Sequence, residues 1–205
     1  MTRLEAINNR ISENDIVLDV GCDTALLGGM LARRGIHSFA SDIKENIVKN
    51  AYEKACNEKI DKYIKFIVSD GLDNVKVDEI DTLVLSGMGT YTILKILERA
   101  NKIYKKIITI SNNNHDILRI NMNNLGYCIT EEEIIKENGK YYNLIEFKPG
   151  KTSYTKEEIL LGRNHKNIKL LIEKNNYLLS KYKYFYDKNE NVKKLVDVIK
   201  NYKYN

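Results

Sequence analysis

Apolar runs of five or six residues alternate with helix-like segments through residues 1–150, and this alternation restricts the fold more than any other feature. The runs occupy 16–20, 37–41, 64–69, 82–86 and 106–111. Helix-like segments lie near 24–34, 44–58, 90–101 and 114–125. Strands separated by helices of this length join in parallel, because each crossover returns the chain to the same edge. The runs are apolar almost throughout, as strands covered on both faces must be. Two further runs, "EEEIIKE" and "YYNLIEFK", flank Asn138-Gly139. That pair accepts the left-handed backbone of a two-residue hairpin turn. The expected fold is therefore α/β: a mostly parallel, seven-stranded sheet with an antiparallel edge hairpin.

The only proline, Pro149, stands before Gly150, and the periodicity changes after it. Residues 1–150 are read as one domain and 151–205 as a second. Ser153 or Thr155 offers a helix N-cap followed by acids. Leu161, Ile168, Leu171, Ile172, Leu178, Leu179, Tyr182 and Phe185 then form one apolar stripe. The stripe predicts a first helix of roughly 30 residues, about 45 Å long. After a break at 187–191, Val192, Leu195, Val196, Val198, Ile199 and Tyr202 predict a second helix, antiparallel to the first. This segment carries 13 Lys/Arg against 6 Asp/Glu, a balance of +7, while residues 1–150 carry 20 against 22. A basic appendage suits a polyanion, since lysines displace the counterions of phosphates. Lys166, Lys169 and Lys181 lie off the apolar stripe and are the candidate RNA contacts. A lysine-biased composition, with 26 Lys to 7 Arg, would load a solvated helix in the same way.

No stretch is long and apolar enough to span a membrane, and the N-terminus has no signal-like apolar core. Three cysteines, Cys22, Cys56 and Cys128, fit neither a disulfide framework nor a zinc site and suit a reducing cytoplasm. His37, His115 and His165 lack ligand spacing, so no metal is expected. A monomer is expected.

In open α/β sheets a ligand binds beyond the carboxyl ends of the strands. Each of the five parallel strands ends in polar residues or glycine: Asp19-Val20-Gly21-Cys22-Asp23, Ser41-Asp42, Ser69-Asp70-Gly71-Leu72, Ser86-Gly87-Met88-Gly89 and Ser111-Asn112. The first turn resembles a dinucleotide-binding turn, but Asp23 replaces its middle glycine. Three carboxylates surround the pocket and no lysine lies in the turn, so a pyrophosphate would be repelled. A ligand with a ribose, an adenine amino group, an α-amino group and a sulfonium cation would not be, and S-adenosylmethionine has all four. Taken singly, Asp42, Asp70 and Asn112 also fit helix capping, and the glycines fit tight turns.

The segments "DVGCDTALL", "SDGLD", "SGMGTYTILKIL", "ISNNNHDILR" and "ENGKYYNLIEF" together resemble the bacterial TrmK family, the tRNA (adenine(22)-N(1))-methyltransferases. The resemblance covers nearly the whole chain. It implies a class I (Rossmann-like) methyltransferase with a C-terminal helical coiled-coil extension, S-adenosylmethionine as cofactor and tRNA as partner. Carried over by motif, the cofactor residues are Asp19, Gly21, Asp23, Asp42, Ile43, Asp70, Gly71, Leu72, Gly87, Met88 and Gly89. The implied catalytic set is Asp23, Met88 and Asn112, with Asn112 on the flipped base and Met88 against its face. Asp23 would take the cofactor's amino end or, second, a proton from the adenine amino group. The chain departs from the family at Cys22, Thr24, Leu26 and Gly28, where the family has Ser, His, Tyr and Pro. It also has Ile110-Ser111-Asn112 for Gln-Pro-Asn and Asn143 for a glutamate. The alternatives are a methyltransferase of another RNA or small molecule, and a non-catalytic RNA-binding module.

Overall fold

The computed structural model describes residues 1–204. Seven strands form one sheet: β1 (Val17–Val20), β2 (Ser38–Asp42), β3 (Ile64–Val68), β4 (Thr82–Ser86), β5 (Lys106–Ile110), β6 (Tyr127–Glu137) and β7 (Lys140–Pro149). Their order is β3-β2-β1-β4-β5-β7-β6. The first five are mutually parallel, and the β6–β7 hairpin runs antiparallel to β5. Asn138 (φ 50°) and Gly139 (φ 73°) make the expected left-handed turn. The strand order reverses between β1 and β4, which opens a crevice at their carboxyl ends.

The central strands β1, β4 and β5 bury both faces. Leu18 and Val20 point into one layer with Leu83, Leu85, Ile107 and Phe147, under α4 (Thr90–Glu98) and α5 (His115–Asn124). Val17, Val84, Ile108 and Leu144 point into the other, under α2 (Leu26–Ala32). Helix α3 (Glu45–Asn57) covers the β2–β3 edge through Val48, Ala51 and Ala55. Helix α1 (Arg3–Asn8), absent from the sequence reading, buries Ile7 in the α2 layer. Its signal was present: Thr2 and Glu5 form a reciprocal capping box.

The appendage differs from the expected pair of long helices. Three helices form: α6 (Lys156–Leu161), α7 (Ile168–Tyr182) and α8 (Glu190–Asn201). The apolar stripe is real, since Leu161, Val198 and Ile199 cluster with Leu178, Leu179 and Tyr202. The roughly 30-residue helix is not, because the chain breaks at Gly162 (φ 96°). The cause is Glu132 on β6, fully buried beneath the break. A Cβ at position 162 would run into the Glu132 carboxylate. Arg119 of α5 pairs with Glu132 in two bonds, Nε to Oε1 at 2.9 Å and Nη2 to Oε2 at 2.8 Å. Arg119 also donates from Nη1 to the Ile159 carbonyl at 2.7 Å, satisfying an open end of α6. The loop then runs along β6, with Asn164 O accepting from Glu132 N and Lys166 N donating to Glu132 O. It thereby covers an edge strand that would otherwise offer open hydrogen bonds. Lys174 of α7 reaches Asn143 Oδ1 on β7 at 2.8 Å.

Candidate active site at the strand ends

The crevice is built from the β1 and β2 ends on one side and the β4 and β5 ends on the other. Gly21 (φ 75°), Asp23 (φ 48°) and Ala25 (φ 51°) bend the first turn through the left-handed region. The Gly21 and Cys22 amides both donate to the Ser41 carbonyl, at 2.8 and 2.9 Å, tying this turn to the end of β2. Asp23 and Ile43 are exposed at the mouth, while Cys22 is buried. Burial, then the Asp19 charge, pushes the Cys22 thiol up to about 12, which removes it as a nucleophile.

Asp19 is the group most changed by folding. Burial first, then the neighbouring Asp42 charge, pushes its carboxyl up to about 7. Among the described residues its carboxylate accepts no hydrogen bond, and neither does that of Asp23. Asp42 Oδ1 accepts from the Lys44 amide at 3.0 Å. None of these acids is a helix N-cap, because Ala25 caps α2 and Lys44 caps α3. Two neighbouring acids with no cation between them suit a cationic or multiply donating ligand. Asp70 differs. Arg99 of α4 donates to it at 3.3 Å and to Asp73 at 2.7 Å, so its charge is partly met from the protein. Gly71 (φ 58°) packs under α4, where a Cβ would lie 2.9 Å from Ile96, and Leu72 is buried in the core. Gly71 and Leu72 thus pack toward α4 and the core, while the Asp70 side chain stays exposed. Arg99 was not legible in the sequence, because α4 brings it from 29 residues away.

The opposite side is neutral. Met88 lies over the first turn, its methyl 3.2 Å from where a Gly21 Cβ would be. The Asn112 amide donates to Met88 O at 3.0 Å. Its side-chain Nδ2 donates to Gly87 O at 2.9 Å. The Asn112 Oδ1 has no partner among the described residues and is exposed at the mouth. Sequence reasoning missed what fixes this arrangement. Thr90 Oγ1 and Ser111 Oγ are 2.9 Å apart, and the Thr90 hydroxyl donates to Asn113 O at 2.6 Å. Asn113 Oδ1 in turn accepts from the Thr90 amide at 3.3 Å, locking the two turns together. His115, 3.2 Å from Ser111 O, is held neutral by burial and by Lys174, which bring its pKa to about 3.

Lys166, Lys169 and Lys181 are all exposed. Lys166 sits 3.8 Å from Glu131, and Lys181 lies over Tyr177 and Tyr182 at 5.9 and 5.6 Å. A groove of about 750 Å³ between α3 and β3, lined by Tyr52, Phe66 and Val68, contains none of the strand-end carboxylates. Among the described residues no cluster of three or more His, Cys, Asp or Glu could hold a metal, and no helix is long and apolar enough to cross a membrane.

A tRNA (adenine(22)-N(1))-methyltransferase of Bacillus subtilis is 26% identical over 153 residues, 72% of this chain and 64% of that protein. The chain thus spans just under two thirds of that relative. A solved structure of Streptococcus pneumoniae Sp1610, a putative tRNA (m1A22) methyltransferase in complex with S-adenosyl-L-methionine, is 25% identical with a TM-score of 0.86, over 97% of this chain and 96% of that one. M. capricolum TrmK with S-adenosyl-homocysteine is likewise 25% identical, TM-score 0.85, over 98% and 96%. Residues 1–145 match the family model described as "Methyltransferase domain", and the chain belongs to that family.

Proposed function

We propose that this chain is an S-adenosylmethionine-dependent tRNA methyltransferase that methylates N1 of adenine 22. One observation carries the reading: the crevice pairs an acidic side, where Asp19 has no hydrogen-bond partner among the described residues and Asp42 has only the Lys44 amide, with a neutral side that presents the open Asn112 carbonyl. The acidic side suits a cationic cofactor with ribose hydroxyls, and the neutral side suits an uncharged base. The relatives named for this reaction, and the S-adenosylmethionine complex among them, support it.

The residues fit the cofactor by chemistry. Asp42 would accept from the ribose hydroxyls in charge-assisted bonds. Asp19 and Asp23 would face the amino end and the sulfonium. When bound, S-adenosylmethionine supplies an electrophilic methyl carbon, with sulfur leaving as the new bond to N1 forms. Adenine N1 carries its own lone pair at neutral pH, so no strong base is needed. The protein's work is then positioning and charge. N1 is engaged in base pairs, so the adenine must leave its helix to enter. Asn112 Oδ1 would accept from the adenine amino group, and Met88 would pack on the ring. Asp19 and Asp23 would supply negative charge to offset the positive charge of the bound cofactor. Residues 1–150 would form the catalytic part and 151–205 the tRNA-binding part, with Lys166, Lys169 and Lys181 on phosphates. The proposed transfer uses no metal, and we read the enzyme as a cytoplasmic monomer.

The test is incubation with unmodified tRNA and methyl donor, followed by mass spectrometry of the digested nucleosides. N1-methyladenosine at position 22 is the expected product. Cofactor binding without any methylated nucleoside, or label on another base, would reject this assignment.

A further inference from the structure

We propose that the turn between α7 and α8 is a stacking platform for unpaired nucleotides of the RNA. This rests on the reading of the chain as an RNA-modifying enzyme. It adds a contact distinct from the lysine–phosphate attraction.

Position comes first. Ile110, the last residue of β5, pairs with Leu144, yet β7 begins at Lys140. The hairpin end therefore overhangs the carboxyl edge of the parallel strands by about 10–14 Å, at about 3.4 Å per residue. Helix α7 climbs along it. Lys166, just before α7, bonds Glu132, which pairs with Ile145 at the level of Thr109. Lys174 meets Asn143, and Tyr177 packs on Tyr141 at 5.5 Å between centroids. The end of α7 and the turn after it thus stand past the hairpin, on the carboxyl side of the parallel strands, where the crevice opens.

Five aromatic residues, Tyr177, Tyr182, Tyr184, Phe185 and Tyr186, fall between 177 and 186. They divide by role. The Tyr186 hydroxyl donates to Asp197 Oδ1 at 2.7 Å, and Lys200 lies 4.7 Å from its ring centre, which fastens the turn to α8. Tyr184 and Phe185, by contrast, are 80% and 54% exposed. Among the described residues neither ring enters an aromatic pair or lies under a cation. Lys181, Lys183 and Lys188 flank them against a single acid, Asp187. Exposed rings held by a fastened neighbour and ringed by cations match what a nucleobase and its phosphate require, and stacking accepts any base. A paired helix hides its base faces, so the fitting partner is an unpaired segment. A second copy of this chain is a poor occupant, because a symmetric contact would bring the same lysines together.

The experiment compares the intact wild type with Tyr184→Ala/Phe185→Ala. A second variant, Tyr184→Phe/Phe185→Tyr, keeps both rings. Affinities are read by fluorescence anisotropy for a short oligouridylate and for a blunt RNA duplex, with circular dichroism as the folding control. The alanine variant should lose at least tenfold on oligouridylate and little on duplex, and the ring-keeping variant should bind like wild type. Unchanged oligouridylate affinity, or equal losses on both RNAs, would overturn the proposal. So would a change of sedimentation state with RNA affinity unchanged, which would mark a self-association face. Failure of the functional reading appears separately, as no methyl transfer to tRNA by the wild type.

Discussion

The strand-end crevice and the helical appendage obey different rules. In the crevice, each polar residue stands directly after an apolar strand, so local sequence and parallel topology together put it at one edge. The appendage carries an equally clear apolar stripe, yet its first helix breaks where no local pattern demands it. Gly162 alone does not stop a helix, since an interior glycine costs only about 1 kcal/mol. The buried pair Glu132–Arg119 does, by claiming the Ile159 carbonyl and the space a side chain at 162 would fill. Periodicity reports which residues face a core, and long-range charge decides where the chain turns.

The largest expected effect breaks that difference. Glu132→Ala should destabilise the protein by about 3–5 kcal/mol, because it strands Arg119 without a partner in a dry site. Replacing both partners with methionine should recover much of this loss. Chemical denaturation measures both. A loss below about 1 kcal/mol for Glu132→Ala would mean that packing, not charge, sets the break.

How much was legible follows from the same distinction. All five parallel strands, the hairpin turn at Asn138-Gly139 and helices α2 to α5 were readable, because hydrophobic period and turn chemistry are local. The sequence placed Asp19, Asp42, Met88 and Asn112 at strand ends. It could not show that Arg99 would meet Asp70, or that Thr90, Ser111 and Asn113 would lock β4 to β5. Those contacts join residues 21 to 29 positions apart. Glu132, inside "EEEIIKE", looked like one more strand acid, and only the fold buries it.

The next effect sharpens the account of the acidic side. Asp19 has its folded pKa raised to about 7. Its proton must leave to meet a cation, so cofactor affinity should fall as pH drops through that value. A roughly tenfold weakening from pH 8 to pH 6 is expected, at up to about 1.4 kcal/mol per pH unit for one coupled proton. Asp19→Asn should bind weakly at both and flatten the profile. Calorimetry across this range measures it, and a flat wild-type profile would place the cation elsewhere.

The smallest effect concerns the appendage surface. Lys169→Gln and Lys181→Gln together should lower the slope of log affinity for tRNA against log salt by about 1.4–1.8, at roughly 0.7–0.9 for each phosphate no longer neutralised. Both residues are exposed, so the melting midpoint should stay put. An unchanged slope would make these lysines bystanders.

The central claim is that the crevice has a cofactor side at β1–β2 and a base side at β4–β5. One crossed measurement tests it: cofactor affinity and turnover at saturating cofactor and tRNA, for Asp42→Ala and Asn112→Ala. Asp42→Ala should weaken cofactor binding about ten- to a hundredfold, the loss of charge-assisted bonds of about 1.5–3 kcal/mol, while retaining most turnover at saturation. Asn112→Ala should bind cofactor like wild type and turn over at least tenfold more slowly. The reverse pattern, or equal losses of both quantities in both variants, would contradict the division.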